Sequence, residues 1–83
     1  MLKNNSYKEE TLFYKVRKEK KVSQKVFAEA LGISLVAYFH LEKGNTFPNF
    51  EVIDRCMEAW NVDFEAFRKY YRRRKDWIAA NLT

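Results

Sequence analysis

Few side chains in this 83-residue sequence are of a type that could carry out a reaction. The only histidine and the only cysteine, His40 and Cys56, fall in different predicted helices. Because a zinc site needs three or four protein ligands, the sequence predicts no bound metal. It also contains no nucleophile paired with a base, no glycine-rich phosphate loop and no carboxylate dyad. We therefore expect no enzymatic activity and no cofactor.

A predicted helix at about residues 35–43 carries side chains that are suited to binding a partner. The residues expected on its outward face are Leu35, Val36 and Phe39, with Ser34 and His40 as the only hydrogen-bonding neighbours on that face. Clustered exposed apolar side chains usually mark an interaction site. The pattern therefore predicts binding rather than catalysis.

Composition limits the kind of protein that could carry this face. Hydrophobic residues make up 47% and aromatic residues 17%, whereas two glycines and one proline are few for a turn-rich sheet fold. A single cysteine allows no disulfide within one chain, which fits a reducing compartment. The sequence lacks both a signal-peptide pattern and an apolar run near the roughly 20 residues of a membrane span. We expect an all-α, cytoplasmic protein that does not bind a membrane and forms one domain over residues 1–83.

The positive charge is unevenly distributed. The formal net charge is +5, with a pI near 9.4. Residues 1–22 carry seven Lys or Arg against three Glu, and residues 51–83 carry seven against six acidic residues. Residues 23–50 carry two of each sign. The balance favours a polyanion or an acidic protein as partner, contacted mainly through the flanks of a neutral central unit.

Capping residues and apolar spacing predict five helices with short connections. Ser6 and Glu9 fit a capping box for helix 1, at about residues 7–20. The other helices are predicted at about 24–31, 35–43, 50–60 and from Asp63 to about 81, and three of them follow the caps Ser23, Ser34 and Asn49. The residues expected in the left-handed conformation at helix ends are Gly32, Gly44 and Asn61.

The spacing of apolar residues also predicts which faces point inward. The predicted inward faces are Leu12, Phe13 and Val16 in helix 1; Phe27, Ala28 and Leu31 in helix 2; Phe50, Ile53, Met57 and Trp60 in helix 4; and Phe64, Phe67, Tyr71 and Ile78 in helix 5. Cys56 is expected to pack as a small apolar residue.

An ordered series of motifs runs without a gap from about residue 16 to 67. It comprises Val16-Arg17, Val22-Ser23-Gln24, Phe27-Ala28, Leu31-Gly32-Ile33-Ser34, Leu41-Glu42-Lys43-Gly44, Pro48 and Trp60-Asn61-Val62-Asp63. This series resembles the XRE-like, or lambda-repressor-like, helix-turn-helix family. The resemblance implies a compact five-helix domain in a bacterial or phage regulator, with residues 68–83 as a C-terminal extension.

The resemblance also implies roles for individual residues in binding double-stranded DNA. Helix 3 would lie in the major groove. The residues facing base edges would be Ser34, Leu35, Val36, Phe39 and His40, and those positioning the DNA backbone would be Gln24, Lys25, Lys43 and Asn45. Arg17 and Glu42 would form an internal ion pair with a structural role.

The groove-facing residues depart from the family pattern. Base edges are read by hydrogen bonds, each good bidentate contact discriminating by about 1–3 kcal/mol, and Leu35, Val36 and Phe39 can form none. We therefore expect weak sequence-specific reading. Three alternatives remain for what this face contacts: the C-terminal segment of the same chain, a protein partner, or thymine methyl groups. With a protein partner, the chain would be an interaction module on the same fold, such as an antirepressor.

The C-terminal segment beyond Tyr71 has little core left to bury against. Tyr71, Trp77 and Ile78 therefore predict a homodimer interface, since two-fold dimers are the commonest assembly. The basic run at residues 72–75 offers a second possibility, contact with phosphate.

Overall fold

The computed structural model describes residues 9–81, and within them the backbone forms five α-helices without strands. The helices are α1 (Leu12–Lys20), α2 (Gln24–Leu31), α3 (Leu35–Lys43), α4 (Phe50–Trp60) and α5 (Phe64–Asn81). The predicted all-α, five-helix class is confirmed. The bounds predicted for α2, α3 and α4 are also those observed.

The predicted caps form as expected at both ends of the central helices. The side chains of Ser23, Ser34 and Asn49 accept hydrogen bonds from the backbone N–H groups of Val26, Ala37 and Val52. Gly32, Gly44 and Asn61 adopt the left-handed conformation after α2, α3 and α4. Each of these helices therefore begins at a side chain that satisfies an exposed backbone N–H group and ends at a residue type that tolerates the left-handed conformation.

The prediction that helix 1 begins near residue 7 is wrong within the described residues. Glu9, Glu10 and Thr11 are not helical, and α1 begins at Leu12. Thr11 is the N-cap: its Oγ1 accepts from the Tyr14 N–H and donates to the Glu42 carbonyl at 2.7 Å. This bond to α3 fixes the start of α1. Ser6 lies outside the described residues, and the Glu9 carboxylate instead accepts hydrogen bonds from Lys15 and Arg73.

One core forms between all five helices. Its aromatic centre contains Phe27 stacked on Trp60, with ring centroids 4.8 Å apart, and Phe13 against Phe67 at 5.6 Å. The buried residues are Phe13 and Val16 of α1, Phe27, Ala28 and Leu31 of α2, Tyr38 and Leu41 of α3, Val52 and Cys56 of α4, and Phe67 and Tyr70 of α5. The predicted burial of Cys56 is confirmed.

Two phenylalanines predicted to face the core are instead exposed. Phe50 is 70% and Phe64 is 46% accessible to solvent. Each is the first residue of its helix, so its side chain lies at the edge of the bundle. Along α5 the buried positions are Phe67, Tyr70 and Arg74, whereas Tyr71 and Ile78 are half-buried.

The suggestion that the C-terminal segment covers helix 3 is wrong. Helix α5 packs against α1 and α4, and the outward side chains of α3 stay exposed. The buried residues Phe67 and Tyr70 hold α5 in the core, and the Phe67 ring lies against Phe13 of α1.

Candidate nucleic-acid interface

The turn between α2 and α3 is built around Gly32. Gly32 has φ +72°, and its N–H donates to the Glu29 carbonyl while that of Ile33 donates to the Ala28 carbonyl. These bonds satisfy the last carbonyl groups of α2 and turn the chain sharply. Ser34 then caps α3, so the two helices follow one another after three residues.

A side chain from α4 holds the same turn from outside. Arg55 donates from Nη1 to the Leu31 carbonyl at 3.1 Å, satisfying another carbonyl at the end of α2. Gly32 is required by its left-handed backbone conformation, and a Cβ at this position would also make the Arg55 guanidinium shift.

The orientation of α3 is set on its inner side by the Glu42 carboxylate. Arg17 of α1 donates to it from Nε at 2.5 Å and from Nη2 at 3.2 Å. Tyr38 donates its hydroxyl at 2.8 Å, and Gln24 donates its amide from the start of α2, also at 2.8 Å. The Arg17–Glu42 ion pair predicted above is confirmed, and it joins α1 to α3. Because Gln24 also binds the Glu42 carboxylate, the cluster joins α2 as well.

Electrostatics in this cluster favour the charged forms of the ion pair. Burial alone would raise the pKa of Glu42, but hydrogen bonds from Arg17, Tyr38 and Gln24 together hold it below its ordinary value. The hydrogen bond to Glu42 raises the pKa of Arg17, and burial raises the pKa of Tyr38, so its hydroxyl remains a donor. The cluster is therefore ionised and fully bonded at neutral pH.

The exposed part of α3 presents the apolar residues identified from the sequence. Leu35 is 48% exposed, Val36 68% and Phe39 40%. All three lie within the first two turns after the Ser34 cap. The helix therefore offers an apolar surface at its N-terminal half.

The polar residues next to this surface are partly engaged with one another. The Asn45 side-chain amide lies 3.1 Å from Nδ1 of His40, so the two side chains form a hydrogen-bonded pair. Lys43 places its ammonium 5.5 Å from the centroid of the Phe39 ring, in cation–π range.

The residues predicted to contact the DNA backbone lie at the two edges of α2 and α3. Lys25 and Asn45 are exposed, whereas Gln24 is half-buried because its amide is bound to Glu42. Ser34 is exposed, and its hydroxyl oxygen already accepts from the Ala37 N–H. No bound DNA tests the assignment of these nine residues, which therefore remains a prediction.

The basic run at residues 72–75 is not one continuous surface. Arg74 is only 5% exposed and donates from Nη2 to the Gly44 carbonyl at 2.7 Å. Arg73 pairs with the Glu9 carboxylate. The suggestion that the whole run touches phosphate is therefore wrong for Arg74, which instead holds the C-terminal end of α3.

Sequence reasoning missed several residues that position the interface. Tyr38 falls within the predicted helix 3, but nothing in the pattern indicated that its hydroxyl meets Glu42. Thr11, Arg55 and Arg74 act through contacts with residues 24 to 31 positions away. Such contacts leave no local spacing signal, because they depend on how the helices pack.

The described part of the chain, residues 9–81, contains no group of three His, Cys, Asp or Glu residues that could hold a metal ion. Across the same residues, no helix is long and apolar enough to cross a membrane. What α2 and α3 offer is a convex surface with an apolar centre and cationic or amide-bearing edges.

Comparison with known proteins supports the interpretation of this surface. A family model described as Helix-turn-helix matches residues 13–67, more than half of the chain. No curated protein and no solved structure matches the chain. The matched span covers α2, the Gly32 turn and α3 together with α4. The chain therefore belongs to the XRE-type helix-turn-helix family of DNA-binding regulators.

Proposed function

We propose that this protein is a repressor-type transcription regulator that binds duplex DNA with α3 in the major groove. The observation that carries the proposal is that α3 is exposed along one face and anchored on the other by the Glu42 cluster. A helix entering the groove must present a free face at a fixed angle, and both conditions hold here. The family match gives the ligand class.

The DNA backbone would be contacted from the edges of the two helices. Gln24 and Lys25 lie at the N-terminal end of α2, where free backbone N–H groups and the helix dipole favour a phosphate. Lys43 is the last residue of α3, and Asn45 follows the Gly44 cap. These two side chains would bind a DNA phosphate through charge and hydrogen bonds, without regard to base sequence.

The assembly proposed is a two-fold dimer, since regulators of this architecture bind paired half-sites. The C-terminal residues predicted for its interface, Tyr71, Trp77 and Ile78, are half-buried. More apolar area is available at the neighbouring Phe64 and at Phe50, which are exposed. We therefore extend the proposed interface to Phe64, at the start of α5, and to Phe50, at the start of α4. A dimer bound at a promoter would block access of the polymerase, in the cytoplasm of a bacterial cell.

The experiment that tests this function is a fluorescence-anisotropy titration of the full chain against mixed-sequence duplex at low salt. We expect binding in the micromolar range or tighter. The central unit supplies Lys25 and Lys43, so the logarithm of the binding constant should fall with the logarithm of salt with a slope of about −2 per protomer.

Absence of binding at low salt, or binding that ignores salt, would contradict the proposal. In that case the exposed apolar residues of α3 would favour the other function raised above, a protein-interaction module on the same fold. Co-purification of protein without DNA from the native cell would support that outcome.

A further inference from the structure

The apolar centre of the α3 surface limits what it can recognise in DNA. Leu35, Val36 and Phe39 together form a patch without a hydrogen-bonding side chain, and Val36 is the most exposed of the three. Within the major groove, the apolar group that base pairs present is the C5 methyl group of thymine. The patch and this methyl group are therefore chemically matched.

The positive surroundings of the patch favour DNA over a second copy of this basic chain, and the family match favours DNA over an acidic protein. Glu42, the single carboxylate within α3, is turned into the core and bound by Arg17. The side chains around the patch that carry charge or hydrogen-bonding groups include Lys43 beside Phe39 and the His40–Asn45 pair. An apolar strip with cationic and donor groups at its edge is complementary to a methyl-lined groove between phosphates.

We infer that Leu35, Val36 and Phe39 read the methyl groups of thymines, so that this protein selects its site by methyl contacts rather than by hydrogen bonds to purines. The inference rests on the proposed function, DNA binding through α3. It predicts binding sites with thymines at the positions facing these three residues.

The free energy of burying an apolar group gives the expected affinity contribution of each methyl contact. Removing one methyl-sized group from water corresponds to about a four-fold change in affinity. A site with two or three contacted thymines would thus be preferred by about 15- to 60-fold over one with none. This preference is large enough to measure in a single titration series.

The test uses uracil, which has the hydrogen-bonding groups of thymine and lacks only its methyl group. Binding sites are first selected with the full chain from a random duplex library. Each thymine of the selected site is then replaced by deoxyuridine, one at a time, and affinities are measured by anisotropy. We expect an approximately four-fold loss at each contacted thymine and none at thymines outside the site.

A double-mutant cycle assigns the effect to the patch. Val36 is exposed, so its substitution should leave the fold intact. In the Val36→Ser variant, the loss of affinity caused by replacing one particular thymine with uracil should disappear. Val26→Ser is the matched control, because it makes the same truncation at an exposed valine of α2 that lies outside the patch. That variant should discriminate thymine from uracil as the unmodified protein does.

Failures of the inference and of the proposed function are distinguishable. Equal, salt-dependent affinity for thymine and uracil sites would overturn the methyl reading and leave DNA binding intact. Unchanged discrimination in Val36→Ser, Leu35→Ser and Phe39→Ser would also overturn it. Failure to bind any duplex at low salt would overturn both.

Discussion

At the scale of single residues, Glu42 joins three helices through its hydrogen bonds. Its carboxylate receives hydrogen bonds from α1, from α2 and from its own helix, and its backbone carbonyl accepts from Thr11. The Arg17 side chain keeps 21% of its surface exposed and that of Glu42 only 8%. Removing one partner would leave the other charge partly desolvated, which is the costly case for an ion pair.

We therefore predict that Glu42→Gln lowers the free energy of unfolding by about 2–4 kcal/mol at pH 7, somewhat below the fully buried limit because Arg17 is partly exposed. Urea unfolding followed by circular dichroism measures this loss. Glu29→Gln is the matched control, since it removes the same charge from an exposed site, and should change stability by no more than about 0.5 kcal/mol. Equal losses in the two variants would contradict a specific role for the cluster.

The hydrogen bonds to Glu42 also make the free energy of unfolding depend on pH. Because the folded-state pKa of Glu42 is lowered, its contribution to stability is complete above the unfolded-state pKa, near 4.5. That contribution is lost as the pH falls through the lower folded-state pKa. The stability difference between the unmodified protein and Glu42→Gln should therefore shrink as the pH falls below about 4. A difference that stays constant down to pH 3 would contradict this assignment.

At the scale of secondary-structure elements, both ends of the helix pair are held by arginines from later helices. Arg55 of α4 bonds the end of α2, and Arg74 of α5 bonds the end of α3 at Gly44. Arg74 lies beyond the span that the family model matches. The C-terminal extension is therefore joined to the proposed recognition helix.

We predict that Arg74→Met lowers stability by about 1–3 kcal/mol, because the buried Gly44 carbonyl loses a charged donor while the apolar stem is kept. DNA affinity should fall as well, since the end of α3 that carries Lys43 loses its support. Arg72→Met removes the same charge from an exposed position of α5 and serves as the control.

Thermal unfolding and anisotropy titrations of the two variants check this prediction. A loss of affinity that is equal in Arg72→Met and Arg74→Met would point to net charge alone. Partial recovery in Arg74→Lys, which restores a donor, would support the capping contact.

At the scale of the whole molecule, the large exposed apolar side chains other than Val26 of α2 divide into two groups. One is the α3 patch, and the other includes Phe47, Phe50 and Phe64. Phe47 lies in the connection before α4, and the ring of Tyr71 on α5 lies 5.3 Å from it, centroid to centroid. Phe64 lies on the C-terminal helix proposed to form the dimer, and Phe47 lies beside it.

We predict that the double variant Phe50→Ser, Phe64→Ser is monomeric at concentrations where the unmodified protein is a dimer. Both side chains are exposed, so their truncation should leave the fold intact. Sedimentation equilibrium measures the mass, and circular dichroism checks the helix content. Val26→Ser, an exposed apolar truncation on α2, should leave association unchanged. Dimerisation of the double variant with unaltered affinity would exclude this interface.

Much of this protein was determined by local sequence. The caps Ser23, Ser34 and Asn49 and the left-handed Gly32, Gly44 and Asn61 fixed the limits of three helices, because caps and turns depend on residues within one turn of the chain. The same locality explains why the exposed apolar face of α3 was predicted from the sequence. The Arg17–Glu42 pair was predicted through the family resemblance, whose motif order carries information on packing.

Tertiary structure alone decided the remaining features. Helix α1 begins at Leu12 rather than near residue 7, because Thr11 bonds to α3. Phe50 and Phe64 have the apolar spacing of core residues, yet they lie at helix starts beyond the reach of the core. Arg74 sits within a basic run typical of a solvated surface, but the packing of α5 buries it against Gly44. In each case the surroundings of the residue are formed by residues distant in the sequence. Helix periodicity predicts on which face of its helix a residue lies, but not which residues pack against that face.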